Sequence, residues 1–114
     1  MLDRRRAERF RLAVSLTVRD ADTGEALGEL VDISGHGLMV ASDAPLALER
    51  RYRLRVELPE RLGGELEVGA DAAWSVRSLN PVCVKTGFSG LRARAGHGPR
   101  LERLIEDCYR PCGG

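Results

Sequence analysis

Lysine is almost missing from this 114-residue chain: Lys85 is the only one among 18 basic residues, and all the others are arginine. Arginine is a planar fork that pairs bidentately with phosphates and guanine edges, whereas lysine is a point charge; a GC-rich coding sequence produces the same skew. Aromatic residues are also scarce, at one Trp, two Tyr and two Phe. The expectation is therefore no exposed stacking platform of the kind used by barrels that bind single-stranded nucleic acid. The formal net charge of +1 excludes the long-range field of a nucleic-acid coat protein. Three cysteines, Cys83, Cys108 and Cys112, are an odd number without framework spacing, and read as reduced thiols rather than staples. Two of them four apart, with no second pair, make a poor metal site. No apolar run approaches membrane-spanning length and the N-terminus is charged, so the expectation is a cytoplasmic protein without membrane insertion.

The machinery of common enzymes is missing too. There is no strand-to-helix Gly-x-Ser-x-Gly elbow, no Walker-type phosphate loop, no paired carboxylates and no complete metal set. Asp32, Ser34 and His36 crowd five positions, but triad members must meet tip to tip from separate segments, not point in parallel from one. The expectation is a non-catalytic protein with no cofactor.

What is present is alternation. Residues 1–9 form a polar, arginine-rich arm. From Phe10 the chain alternates strictly, with Leu12, Val14, Leu16 and Val18 apolar and small or polar residues between them. A period of two means a half-buried strand. Further strands are predicted from Glu25 to Ile33, with Leu27, Val31 and Ile33 on one face, and over Leu38 to Ala41. Others follow through Tyr52, Leu54, Val56 and Leu58, and through Leu66, Val68, Ala70, Ala72, Trp74 and Val76. The last covers Val82, Val84, Thr86 and Phe88. Trp74 falls on the apolar face of its strand, which assigns it to the core.

Six strands, each apolar on one face and joined by short turns, predict an all-β-dominated, antiparallel barrel over residues 10–95, because closure hides strand edges. Residues 96–114 differ. Pro99 suits the first turn of a helix, and Leu101, Leu104, Ile105 and Cys108 follow at i, i+3, i+4, i+7. They predict a C-terminal amphipathic α-helix that lays its stripe over a barrel opening. The whole is expected to be one domain: arm 1–9, barrel 10–95, helix and tail 96–114.

Two groups of polar residues remain. Arg4, Arg5, Arg6 and Arg9 lie within six positions just ahead of the first strand; alone, such a cluster is usually a solvated tail. Asp32-Ile33-Ser34-Gly35-His36-Gly37 ends the second strand; alone it is an ordinary Asx-type turn, its two glycines freeing the backbone for positive φ.

Together, Arg-x-x-x-Arg (Arg5 to Arg9), strand-turn-strand and then Asp-x-Ser-x-x-Gly (Asp32, Ser34, Gly37) resemble the PilZ domain family along nearly the whole chain. Phe10, Trp74, the Gly87-Phe88 pair and the closing helix also fall where that family has counterparts. The resemblance implies a six-stranded barrel that binds cyclic di-GMP on its outer surface. It assigns Arg5 and Arg9 to guanine or phosphate, Asp32 to the guanine N–H donors, Ser34 to a hydroxyl contact and Gly37 to close backbone approach. Arg4, immediately before the motif, accompanies binding of two stacked ligand molecules, and Arg6 adds a further contact. His36 stands where many members carry glycine. The implied role is that of a receptor whose arm orders on binding and which signals to an unidentified effector protein. The alternatives are a PilZ-like adaptor without nucleotide binding and a small nucleic-acid-binding barrel.

Overall fold

A computed structural model describes residues 16–79 and 82–109, with side chains through Asp107. It contains β1 (Thr17–Asp20), β2 (Ala26–Ile33), β3 (Gly37–Ser42), β4 (Arg50–Glu57), β5 (Glu65–Leu79), β6 (Val82–Ala93) and α1 (Gly98–Tyr109), with a 3-10 turn at Glu60–Leu62. The strands close into a barrel in the order β1-β2-β3-β6-β5-β4, every neighbouring pair antiparallel. The predicted strand alternation from Phe10 to Ser15 lies outside the described residues.

Alternation sets the core. Leu38 and Val40 of β3, Tyr52, Leu54 and Val56 of β4, and Leu66, Val68, Ala70 and Ala72 of β5 all point inward and are buried. The two alanines are opposite the two core rings, Ala70 against Tyr52 and Ala72 against Phe88. Those rings meet edge to face, with centroids 5.6 Å apart, so small residues make room where large ones cross. The helix closes one end as predicted: Leu104 is fully buried in the core cluster, with Leu101 and Ile105 packed against it. His97, just before α1, ties this lid to β5, since its Nδ1 accepts the Glu67 N–H at 3.0 Å. That bond requires Nδ1 to keep its lone pair, which fixes the tautomer of the neutral ring.

Four register irregularities interrupt the described strands. One lies between β1 and β2 at Val18/Arg19; the other three rephase β2, β5 and β6, and two of these overturn sequence expectations. In β2 the register passes from Leu30↔Val40 to Asp32↔Met39, leaving Val31 as the extra residue. Leu30 and Ile33 therefore face inward, while Val31, predicted to share the apolar face, is exposed. In β5 the register passes from Ala72↔Phe88 to Trp74↔Gly87. Ala73 is the extra residue, and it turns Trp74 out of the core to which alternation assigns it. In β6 the third bulge lies near Gly90, whose φ of 64° is the left-handed conformation that glycine adopts without steric cost.

Candidate ligand site

The bulge in β2 and the bulge in β5 act on the same outer row. Asp32 of β2 pairs with Met39 of β3, Met39 with Gly87 of β6, and Gly87 with Trp74 of β5. Without the extra residue in β2 and in β5, Asp32 and Trp74 would not both face outward on this row. At about 4.8 Å between strands, Asp32 and Trp74 stand on the order of 14 Å apart at the backbone. The indole reaches back across that gap. It lies over Gly87 so closely that a Cβ there would run into the ring, yet Trp74 remains 44% exposed. Asp32, Ser34, Gly37, Met39, Trp74 and Gly87 line a shallow pocket of about 210 Å³.

The turn at one side of this row is held by Ser34. Its backbone N–H donates to the Gly37 carbonyl at 2.8 Å. Its hydroxyl oxygen accepts the N–H groups of His36 and Gly37 at 3.2 and 3.3 Å, and its hydroxyl donates to the Gly37 carbonyl at 3.4 Å. With both lone pairs engaged, what Ser34 can offer a ligand is its hydroxyl proton, now on a long bond. His36 meets Ser34 through its backbone N–H, not its ring, so this contact does not pair a nucleophile with a base.

Asp32 Oδ1 accepts the Ile33 N–H at 2.9 Å, which fixes the carboxylate at the pocket edge. The glycines do not act as the sequence suggests: neither Gly35 nor Gly37 has positive φ. Gly37 is required for a different reason, since a Cβ there would collide with the Phe88 carbonyl of β6.

Two larger hollows carry different chemistry. One of about 740 Å³ is bordered by Glu25, Glu29 and Asp43, carboxylates that repel an anion. The other, of about 470 Å³, is lined by arginines and by carboxylates. There Arg53 pairs with Asp22 at 2.6 Å and Glu67 at 3.3 Å, and Arg94 with Glu67 at 3.4 Å. The Asp22 hydrogen bond, its charge and that of Glu67 raise Arg53 above its ordinary value, so it is a permanent cation, already paired.

Of the sequence-predicted site residues, Asp32, Ser34 and Gly37 come together on one pocket wall. Arg4, Arg5, Arg6 and Arg9 lie outside the described residues. The strand that follows them is placed, however. β1 runs antiparallel to β2, and the Leu16 carbonyl accepts the Leu30 N–H at 2.9 Å. β1 thus begins beside the end of β2 that runs on to Asp32 and Ser34.

Sequence reasoning missed Trp74 and Met39 as lining residues. A signal was present in Gly87, since glycine inside a strand marks a bulge or a close approach. Among the described residues no group of His, Cys, Asp and Glu could hold a metal ion, and no helix is long and apolar enough to cross a membrane.

Neither the curated proteins nor the solved structures yield a match to the chain. A family model does, that of the PilZ domain, over residues 3–107. It spans the arginine arm, the whole barrel and nearly all of the closing helix, and by that match the chain belongs to the PilZ domain family, one of cyclic di-GMP receptors and adaptors.

Proposed function

We propose that this protein is a non-catalytic receptor for cyclic di-GMP, which it binds on the outer row from Asp32 to Trp74. The observation that carries the reading is this row itself: a carboxylate and an aromatic ring face out from the two ends of one four-strand register, next to β1, the strand that follows the arginine-rich segment in sequence. A guanine resting against the exposed Trp74 ring and Met39 gains stacking and apolar contact, worth about 1–3 kcal/mol for a base on an aromatic side chain. Its N1–H and N2–H groups are donors, and Asp32 is an acceptor that adenine, with the opposite pattern at that edge, would not satisfy.

The pocket's size determines the rest of the mechanism. Sites that bury most of a small ligand have volumes of about 300–1,000 Å³, and this one offers about 210 Å³. It seats a base and leaves the phosphates outside. Arg5 and Arg9 are assigned to cover them, forking onto phosphate oxygens or guanine O6 and N7; Arg4 and Arg6 add contacts, with Arg4 serving a second, stacked ligand molecule. Like charges at Arg4, Arg5, Arg6 and Arg9 repel until the phosphates neutralise them. Ligand binding then draws the arm against the barrel and creates a composite surface for an effector protein.

One calorimetric titration tests the reading. Cyclic di-GMP is expected to bind with a stoichiometry of one or two, while GTP and a short oligonucleotide give no comparable heat. No heat with cyclic di-GMP would leave the adaptor without nucleotide binding; heat with the oligonucleotide alone would indicate the nucleic-acid barrel. Hydrogen exchange in residues 1–9 is expected to slow at saturating ligand, and unchanged exchange would refute the ordering step.

A further inference from the structure

The barrel is closed only as far as Ala72. The last β4 pairing is Arg50↔Ala72, backed by the Glu49 N–H to the Ala72 carbonyl at 2.8 Å. β5 continues for seven more residues, Ala73–Leu79, paired on one side with β6 alone. Among the described residues nothing pairs with its other side, so the outward N–H and C=O groups of this run form an open edge.

The edge is apolar as well as open. Val76 is 56% exposed, Leu79 76% and, across the ribbon, Val82 68%. Trp74, Ser75, Val76 and Arg77 are all exposed in succession, so both faces of the strand meet solvent. Isolated two-stranded ribbons are marginal in water, and soluble proteins usually blunt a long edge with charge, proline or a bulge. Here the run Ala-Trp-Ser-Val-Arg-Ser-Leu has one charge and no proline, and its one bulge, at Ala73, leaves Trp74–Leu79 in unbroken register with β6.

We infer that this edge is where a second copy of the chain pairs, strand to strand, about a two-fold axis. A two-fold interface must be self-complementary, and the run meets that condition when centred on Val76. Antiparallel pairing then sets Val76 against its own copy, Trp74 against Ser78, Ser75 against Arg77 and Ala73 against Leu79. No like charges stand directly opposite, and the run has no carboxylate whose burial would be penalised. The pairing extends each β5 ladder into a continuous sheet across two barrels and covers Val76 and Leu79. Seven residues bury less than the roughly 1,600 Å² of an ordinary stable interface, so the dimer is weak and concentration-dependent. This inference does not rest on nucleotide binding, although Trp74 belongs to both surfaces, and it is tested without ligand.

Sedimentation velocity on the full chain, over a roughly hundredfold range of concentration, reads it directly. The expected weight-average mass rises with concentration from the 12.5 kDa of one chain toward twice that. Val76→Lys and Val76→Glu, each alone, place like charges opposite one another and are expected to weaken self-association more than tenfold. An equimolar mixture of the two places opposite charges there and is expected to restore it. Far-UV circular dichroism matching the parent shows that each variant keeps the barrel, as the exposure of Val76 predicts. A parent that remains monomeric throughout would overturn the inference, with a strand of another protein as the remaining occupant. So would self-association unaffected by either substitution, or a mixture that fails to recover it.

Discussion

The two halves of β5 look alike as sequence and end up in opposite environments. Leu66, Val68, Ala70 and Ala72 alternate with Glu67, Gly69 and Asp71; Trp74, Val76 and Ser78 continue the same period. In the first half the even positions are almost fully buried, whereas in the second Trp74 is 44% and Val76 56% exposed. One extra residue at Ala73 separates them, together with the loss of β4 as a neighbour. Alternation says only that successive side chains oppose one another. Which of the two directions is inside depends on phase, and a bulge resets phase for everything after it.

The widest gap between the halves is expected in stability. Leu66→Ala removes a fully buried side chain and is expected to lower the unfolding free energy by about 2–5 kcal/mol in urea titration. A fall below 1 kcal/mol would show a core looser than its burial implies. The next effects concern binding, at the row that the bulge creates. Asp32→Ala, Arg5→Ala and Arg9→Ala are each expected to weaken cyclic di-GMP binding by about 1.5–3 kcal/mol, roughly tenfold to a hundredfold, by calorimetry. Wild-type affinity in all three would remove the site assignment.

Trp74→Ala sharpens the comparison further, because alternation and structure predict different losses. A core tryptophan costs about 3–5 kcal/mol of stability when truncated; a surface platform costs about 1–3 kcal/mol of ligand binding and little stability. The second outcome is expected, read as a shifted affinity with a nearly constant unfolding midpoint. Smallest of all is Val76→Ser, a surface change expected to stay within about 0.5 kcal/mol in unfolding of the dilute chain. A larger loss would mean that the ribbon is buried against something even then.

Much of the fold was legible because one face of each strand repeats at a period of two and the helix repeats at i, i+3, i+4. Tyr52, Leu54 and Val56 on one strand and Leu104 on the helix lie where those periods put them. The turn was legible as chemistry but not as conformation. Ser34 does hold it, yet Gly37 is there to clear the carbonyl of Phe88, in a strand far along the chain, which no local rule for turns contains. Val31 and Trp74 were misread for one reason: a bulge is a mismatch between two strands, and a pattern read along one strand does not register it.

The scarcity of lysine, which leaves the cationic chemistry to arginine, the low net charge, the alternating strands and the spacing from Arg5–Arg9 to Asp32–Gly37 were all determined by the sequence by itself. So was membership of a barrel family, because these are properties of local order along the chain. The tertiary structure decided what faces what: that Trp74 lies out over Gly87, that Asp32 shares its row, and that β5 outruns β4 and leaves an open edge. Those outcomes depend on register between strands far apart in sequence, and register is set by the packing of the closed barrel as a whole.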